Sequence, residues 1–383
     1  MIYFDNAATT VNKPPKVILE TANSIKNHGN PGRGGYALSL NAAQKIFNAR
    51  LSVANLFGSG SPERVIFTAN ATMSLNMAAK CFAKPNSHVI ISCFEHNSVY
   101  RPAEKLKTTH NIEYDIFDVS LDDDEQTVKN AVNLIKENTR MIIMTHVSNV
   151  CGKILPVEKI IKQVKAINPD IIAVVDAAQS AGTLSININR DNIDILCAPA
   201  HKGLMGICGL GIMIFGDSFD AEKTAFATLI EGGTGINSLE LSMPPDIPER
   251  FEAGTPNTPA ISALCASLDY IKTERTERIY NHEKTLYNTA IGMLKDVKKI
   301  NLHSDFTCKN YIGAILFNVN GYKCEDVARI LNRNQIFVRD GYHCSPLAHK
   351  KLGTINSGGV RISFGYYNTP KELDRFYKAI KNL

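Results

Sequence analysis

Through the first two thirds of the chain, short apolar runs alternate with longer stretches whose apolar positions recur at helical spacing. The runs are RVIFTA (64–69), HVIISC (88–93), RMIIMTHVS (140–148), IIAVVDAA (171–178), IDILCA (193–198) and LGIMIF (210–215). They are continuous rather than alternating, which is the pattern of strands covered on both faces. Between them, Thr72–Phe82, Asp123–Glu137 and Val157–Ala166 read as helices. The alternation predicts a mostly parallel sheet flanked by helices, an α/β architecture. Beyond residue 258 the rhythm changes. One or two long amphipathic helices over 258–297 precede an apolar run at 313–319, a helix over Cys324–Arg333, a second run at 358–365 and a helix from Pro370. This reads as a smaller α+β unit. The stretch 231–259 is too polar and proline-rich for a core, and long loops of this kind carry function.

Composition narrows the choices. The net charge of +5 comes without a dense Lys/Arg block, so nothing points to nucleic acid or a membrane surface. No apolar run reaches spanning length, and MIYFDNAATT lacks a signal-peptide pattern. The nine cysteines are scattered, odd in number and without a CxxC pair. That argues against a disulfide framework or a metal site and for a reducing, cytoplasmic setting.

Four stretches carry candidate chemistry. In VVDAAQSAG, Asp176 falls at the carboxyl edge of a strand, where open α/β sheets bind ligands. In APAHKGLMG, Lys202 follows another strand end. A lysine and a carboxylate at adjacent strand ends are what a pyridoxal phosphate enzyme needs, one for the Schiff base and one to keep the ring nitrogen protonated. TANATMSLN (68–76) runs strand, turn, helix, and such a helix N-terminus suits a phosphate. His96 in FEHNSVYRP lies just past a strand, placed to meet a flat ring. Each alone has a plainer reading: a capping Asp, a surface Lys, an N-cap at Asn70 or Thr72, a packing His.

With these stand FDNAATT, NPGRGGYALS, EHNS, VSNVCG, DAAQSAG, HKG, EGGTG, FEAGTPN, RDGYHCSPLAH and VRISFGYYNT, spread over residues 3–369. In this order and spacing they resemble the cysteine desulfurase and selenocysteine lyase family, class V aminotransferase-like enzymes of pyridoxal phosphate fold type I. The resemblance implies a mostly parallel seven-stranded sheet in a large domain (16–258) and a small α+β domain (1–15 with 259–383). It implies pyridoxal 5'-phosphate bound by Lys202, with Asp176 on the ring nitrogen, Gln179 on the ring hydroxyl and His96 over the ring as a further catalytic group. Ala71, Thr72 and His201 would hold the phosphate, joined by Thr234 from the other subunit of a homodimer. Asn149 and Arg361 would bind the carboxylate of L-cysteine, or of L-selenocysteine, with Arg339 nearby. Cys344 would take the sulfur as a persulfide, leaving alanine, and pass it to an acceptor protein or thiol, as in sulfur mobilisation for iron–sulfur cluster assembly. Arg339 and His343 are expected to favour the Cys344 thiolate, the form that attacks sulfur. RDGYHCSP matches the short, fixed cysteine loop of one desulfurase group.

The chain departs from the family at Met73, where a Glu is common, at Pro199 in place of a phosphate-binding Ser, at Tyr36 in place of a His, and in GICGLG (206–211). The alternatives are selenocysteine lyase, a transaminase or C–S β-lyase of the same superfamily, and a catalytically idle scaffold.

Overall fold

A computed structural model describes residues 1–32, 34–303 and 310–383, so Arg33 of the NPGRGG motif and Cys308 lie outside the described residues. Strand β1 (Ile2–Tyr3) belongs to the second half of the molecule. The large sheet is built from β2 (Val65–Thr68), β3 (His88–Ser92), β4 (Glu113–Phe117), β5 (Thr139–Thr145), β6 (Ile172–Asp176), β7 (Ile195–Pro199) and β8 (Gly211–Phe215). Their spatial order is β2-β8-β7-β6-β5-β3-β4. Only β8 runs antiparallel to its neighbours; β7 through β4 pair in parallel. This is the mostly parallel seven-stranded α/β sheet expected.

Both faces are covered, which explains the continuous apolar runs. Ala173 and Val175 of β6 enter one core, and Ile172 and Val174 enter the other. Helices Ala71–Phe82, Asn97–His110, Asp124–Val132 and Val157–Ile167 connect the parallel strands. The helix expected over Asp123–Glu137 stops at Val132, and the run 140–148 is strand only to Thr145. Helices Pro15–Asn27 and Ala37–Phe57 pack on the long helix Thr258–Glu274, which is followed by Thr276–Lys295.

The second sheet is antiparallel, in the order β12-β13-β10-β9, with β9 (Ile300–Leu302), β10 (Ala314–Val319), β12 (Arg339–Gly341) and β13 (Gly359–Ser363). Helices Cys324–Arg333 and Pro370–Lys381 pack with it. Strand β1 joins this half by pairing in parallel with β11 (Ile336–Phe337). The Phe4 carbonyl then accepts the Ser363 amide at 2.7 Å, which brings Asp5 beside β13.

Candidate active site

The site forms where the parallel strands end. Asp176 closes β6, His201 and Lys202 follow β7, His96 follows β3, Asn149 follows β5, and Ala71 and Thr72 open the helix after β2. Two glycines draw the β6 and β7 loops together. A Cβ on Gly182, whose φ is +85°, would meet the Gly203 carbonyl at 2.4 Å, and one on Gly203 would meet the Ala181 carbonyl at 2.4 Å. Only bare backbone lets DAAQSAG and HKG lie this close. The result is a cavity of about 230 Å³ lined by Ala71, Thr72, His96, Asn149, Asp176, Gln179, His201, Lys202, Arg339, His343 and Arg361.

Its electrostatics follow from burial. Burial lowers the Lys202 ammonium to about 8; Asp176 opposes this, while Arg361 and Arg339 add to it. Asp176, 3% exposed, is pushed up by burial and held back by the Ala178 N–H, which donates to its Oδ1 at 2.9 Å, and by Lys202. His96 is lowered to about 4 by burial and by Lys202. Its Nδ1 accepts the Ser98 amide at 3.0 Å, leaving the proton of the neutral ring on Nε2. His201 is likewise lowered to about 4, with Nδ1 3.0 Å from the Thr9 hydroxyl. Gln179 donates to the Ala7 carbonyl at 2.9 Å. The helix N-terminus is capped by Asn70, which accepts the Met73 amide, so the N–H groups of Ala71 and Thr72 have no intrahelical acceptor.

Arg361 is 1% exposed. Its Nη1 donates to the Asn149 carbonyl at 2.9 Å and its Nη2 to Asp5 Oδ1 at 2.5 Å, while Nε, also buried, has no partner among the described residues. Asn149 lines the cavity and also serves the cysteine turn. Its side-chain amide donates to the His343 carbonyl and its oxygen accepts the Ser345 hydroxyl, each at 2.8 Å. Asn149 thus straps down the two neighbours of Cys344.

Cys344 is exposed at the mouth. His343 and Cys344 have φ of +51° and +56°, consecutive left-handed residues that aim the thiol outward. The Cys344 carbonyl accepts the Asn97 amide at 2.8 Å, and Arg339 Nη2 lies 4.0 Å from Sγ. His343 corrects the sequence reading. Its Nε2–H donates to the Arg339 carbonyl at 3.2 Å, and its Nδ1 faces His349 Nε2 at 3.1 Å. Burial, with Arg361 adding to it, lowers it to about 2. The ring is neutral, so Arg339 is the cation left to attend the thiol.

Thr234 stands apart. It lines a separate groove of about 900 Å³ with Asn30, Gly32, Arg50 and Glu252. Sequence reasoning passed over Asp5, present in FDNAATT but given no role, and Glu283. Glu283 is buried beside a small cavity that Lys202 and Gln179 also line. A charged residue on an amphipathic helix gives no sequence signal of that kind.

The family model for class-V aminotransferases matches residues 2–376. The chain belongs to the class-V aminotransferase family. Among family relatives, a probable cysteine desulfurase of Methanothermobacter thermautotrophicus is 32% identical over 393 residues, covering 100% of this chain and 94% of the relative. A probable cysteine desulfurase of Pyrococcus abyssi is 31% identical, with coverage of 100% and 94%. The solved apo structure of a cysteine desulfurase from Thermococcus onnurineus superposes with a TM-score of 0.91 at 31% identity, covering 100% of this chain and 94% of that one. Among the described residues, no helix of this class-V chain is long and apolar enough to cross a membrane.

Proposed function

We propose that this protein is a pyridoxal-phosphate-dependent cysteine desulfurase, converting L-cysteine to L-alanine and holding the sulfur as a persulfide on Cys344. The observation that carries the reading is one constellation: an exposed cysteine on a strained, strapped turn at the mouth of a cavity that holds Lys202, Asp176 and Arg361. The curated relatives named as cysteine desulfurases support it.

The cavity suits the cofactor by its donor set. Lys202 would hold it covalently, Asp176 would face its ring nitrogen and Gln179 its ring hydroxyl. Ala71, Thr72 and His201 would hold its phosphate, together with Thr234 of a second subunit. Bound there, pyridoxal phosphate supplies an electron sink that acidifies Cα of an amino acid and weakens its Cβ–S bond. The chain does the rest. The unpartnered Nε of the Arg361 fork awaits a carboxylate. Lys202, lowered to about 8, takes and returns a proton near neutral pH. The Cys344 thiolate, attended by Arg339, attacks the substrate sulfur; the S–S bond forms as Cβ–S breaks. Because Asn97, Asn149 and Ser345 hold the turn, the acceptor comes to the sulfur.

The wider setting belongs to the same reading: a cytoplasmic homodimer whose large unit spans 16–258 and whose small unit joins 1–15 to 259–383. The pairing of β1 with β11 supports that division.

The test is product analysis with L-cysteine. Wild type should yield alanine and gain one sulfur on the peptide bearing Cys344. Cys344→Ala should keep bound cofactor and lose alanine production, and Lys202→Ala should lose the borohydride-reducible link. Pyruvate and ammonia in place of alanine, or full alanine production by Cys344→Ala, would overturn the desulfurase mechanism.

A further inference from the structure

Outside the cavity, a groove of about 340 Å³ runs from Cys344 along two helices, from the first turn of Ala71–Phe82 to its last and past the middle of Asn97–His110. Thr72 and Lys80 come from Ala71–Phe82, and Arg101 and Lys105 come from Asn97–His110, one turn apart. No carboxylate lines this groove among the described residues. Lys80, Arg101 and Lys105 form no ion pair among them either. The acidic neighbour on the second helix, Glu104, is engaged elsewhere: it accepts the Tyr114 hydroxyl at 2.6 Å and pairs with Lys107 at 3.6 Å. Three unneutralised cations therefore surround a path that ends at the one exposed sulfur beside the cavity. Uncompensated like charges facing a concave surface raise the local concentration of anions.

We propose that this groove seats the sulfur acceptor and that the acceptor is a small anionic thiol, a thiol carrying two carboxylates. The inference rests on the desulfurase reading for the sulfur it removes. The groove has the volume of a small-molecule site. The strapped turn keeps the Cys344 sulfur at its inner end, so a ligand must enter with its thiol leading and its carboxylates trailing toward Lys80, Arg101 and Lys105. The transfer balances without an oxidant or reductant. The acceptor thiolate attacks the outer sulfur of the Cys344 persulfide, and the new S–S bond forms as the bond to Cys344 Sγ breaks. Cys344 leaves as the thiolate, and the transferred sulfur keeps its proton.

Two measurements test this on the holoenzyme. In the first, enzyme preloaded with sulfur on Cys344 is mixed with mercaptosuccinate or with neutral β-mercaptoethanol at equal thiolate concentration, and loss of the extra sulfur is followed by mass spectrometry. Mercaptosuccinate should discharge it about tenfold faster, an advantage that shrinks near 0.5 M salt, where the screening length is roughly 4 Å. The double variant Lys80→Glu with Lys105→Glu should load sulfur as wild type does and lose the preference. Equal rates for the two thiols in wild type, or a preference that survives the double variant, would overturn the proposal. The second measurement needs no sulfur loading and so separates failure of the groove from failure of the desulfurase reading. The Cys344 thiol, identified by subtraction of Cys344→Ser, is titrated with dianionic dithiobis(nitrobenzoate) and with neutral dithiodipyridine. Relative to the neutral reagent, the anionic one should react about tenfold more slowly with the double variant than with wild type. An unchanged ratio would equally overturn the anionic acceptor.

Discussion

Arg361 carries a guanidinium almost wholly out of water, into the wall of a cavity it shares with Lys202 and Arg339. Two of its nitrogens are fixed by Asp5 and the Asn149 carbonyl, and the third has no acceptor among the described residues. A point charge cannot replace that fork. Arg361→Lys should lower kcat/KM for L-cysteine by about 10- to 100-fold, the loss of roughly 1.5–3 kcal/mol of charge-assisted hydrogen bonding. Steady-state kinetics measure it, and unchanged kinetics would hand the carboxylate to Arg339. Glu283 gives a different prediction. Burial raises its carboxyl from 4.5 to about 8, and it has no hydrogen-bond partner among the described residues. Between those values the folded state binds more protons than the unfolded one, so wild type loses stability as pH rises through that window. Glu283→Gln should escape a loss on the order of 5 kcal/mol, seen as a denaturation midpoint that overtakes wild type at alkaline pH and not near pH 4. Lys202 and Asp176 were legible in the sequence because strand ends are legible. The charge state of His343 was not, since it depends on a ring partner, His349, and on burial, neither of which the sequence displays.

Among the elements, the central strands were readable because burial on both faces writes an unbroken apolar run. Strand β4 was not: it is the edge strand, and its EYDIF sequence is largely half-buried or exposed. Helices Pro15–Asn27 and Ala37–Phe57 also escaped, since much of their apolar surface faces outward rather than along one inner stripe. The long loop 231–259 was expected to stay irregular, and apart from one turn at Glu249–Phe251 it does so up to Thr258, where the long helix begins. What anchors it is a fork. Arg50 Nη1 and Nη2 meet the two carboxylate oxygens of Glu252 at 2.8 and 2.5 Å, and the Phe67 amide donates to the same side chain at 2.5 Å. The loop is thereby pinned to β2. Glu252→Gln leaves a buried guanidinium unpaired and should reduce stability by about 3 kcal/mol, read from the urea midpoint. Glu252→Gln with Arg50→Met should recover part of that loss, because the stranded charge goes with its partner.

At the scale of the molecule, exposed apolar residues gather on the two N-terminal helices and in the long loop: Ile18, Leu19, Ile25, Leu40 and Phe47, with Leu239 and Leu241 fully exposed. Surfaces of this kind mark association. Thr234 and Lys202 line different cavities of one chain, and the proposed dimer would join them by supplying Thr234 from across the two-fold. Mixed dimers decide it. Thr234→Ala alone should weaken cofactor retention by about tenfold, the loss of one hydrogen bond to a charged group. Co-expressed with Lys202→Ala, it should give heterodimers with one intact site that keep cofactor as tightly as wild type. No such recovery would mean that Thr234 serves its own chain.

The contact between Asp5 and Arg361 also sets a clock. The two residues are 356 positions apart, so a ribosome adding roughly 5–20 residues per second makes the second roughly 20 to 70 s after the first. Lys202 and Asp176 are in place about midway. The nascent protein therefore owns the groups that would receive a cofactor well before it owns the fork that would select an amino acid. Until Arg361 arrives, Asp5 waits with an unmatched carboxylate, and the half-made chain lacks the fork proposed to grip an amino acid.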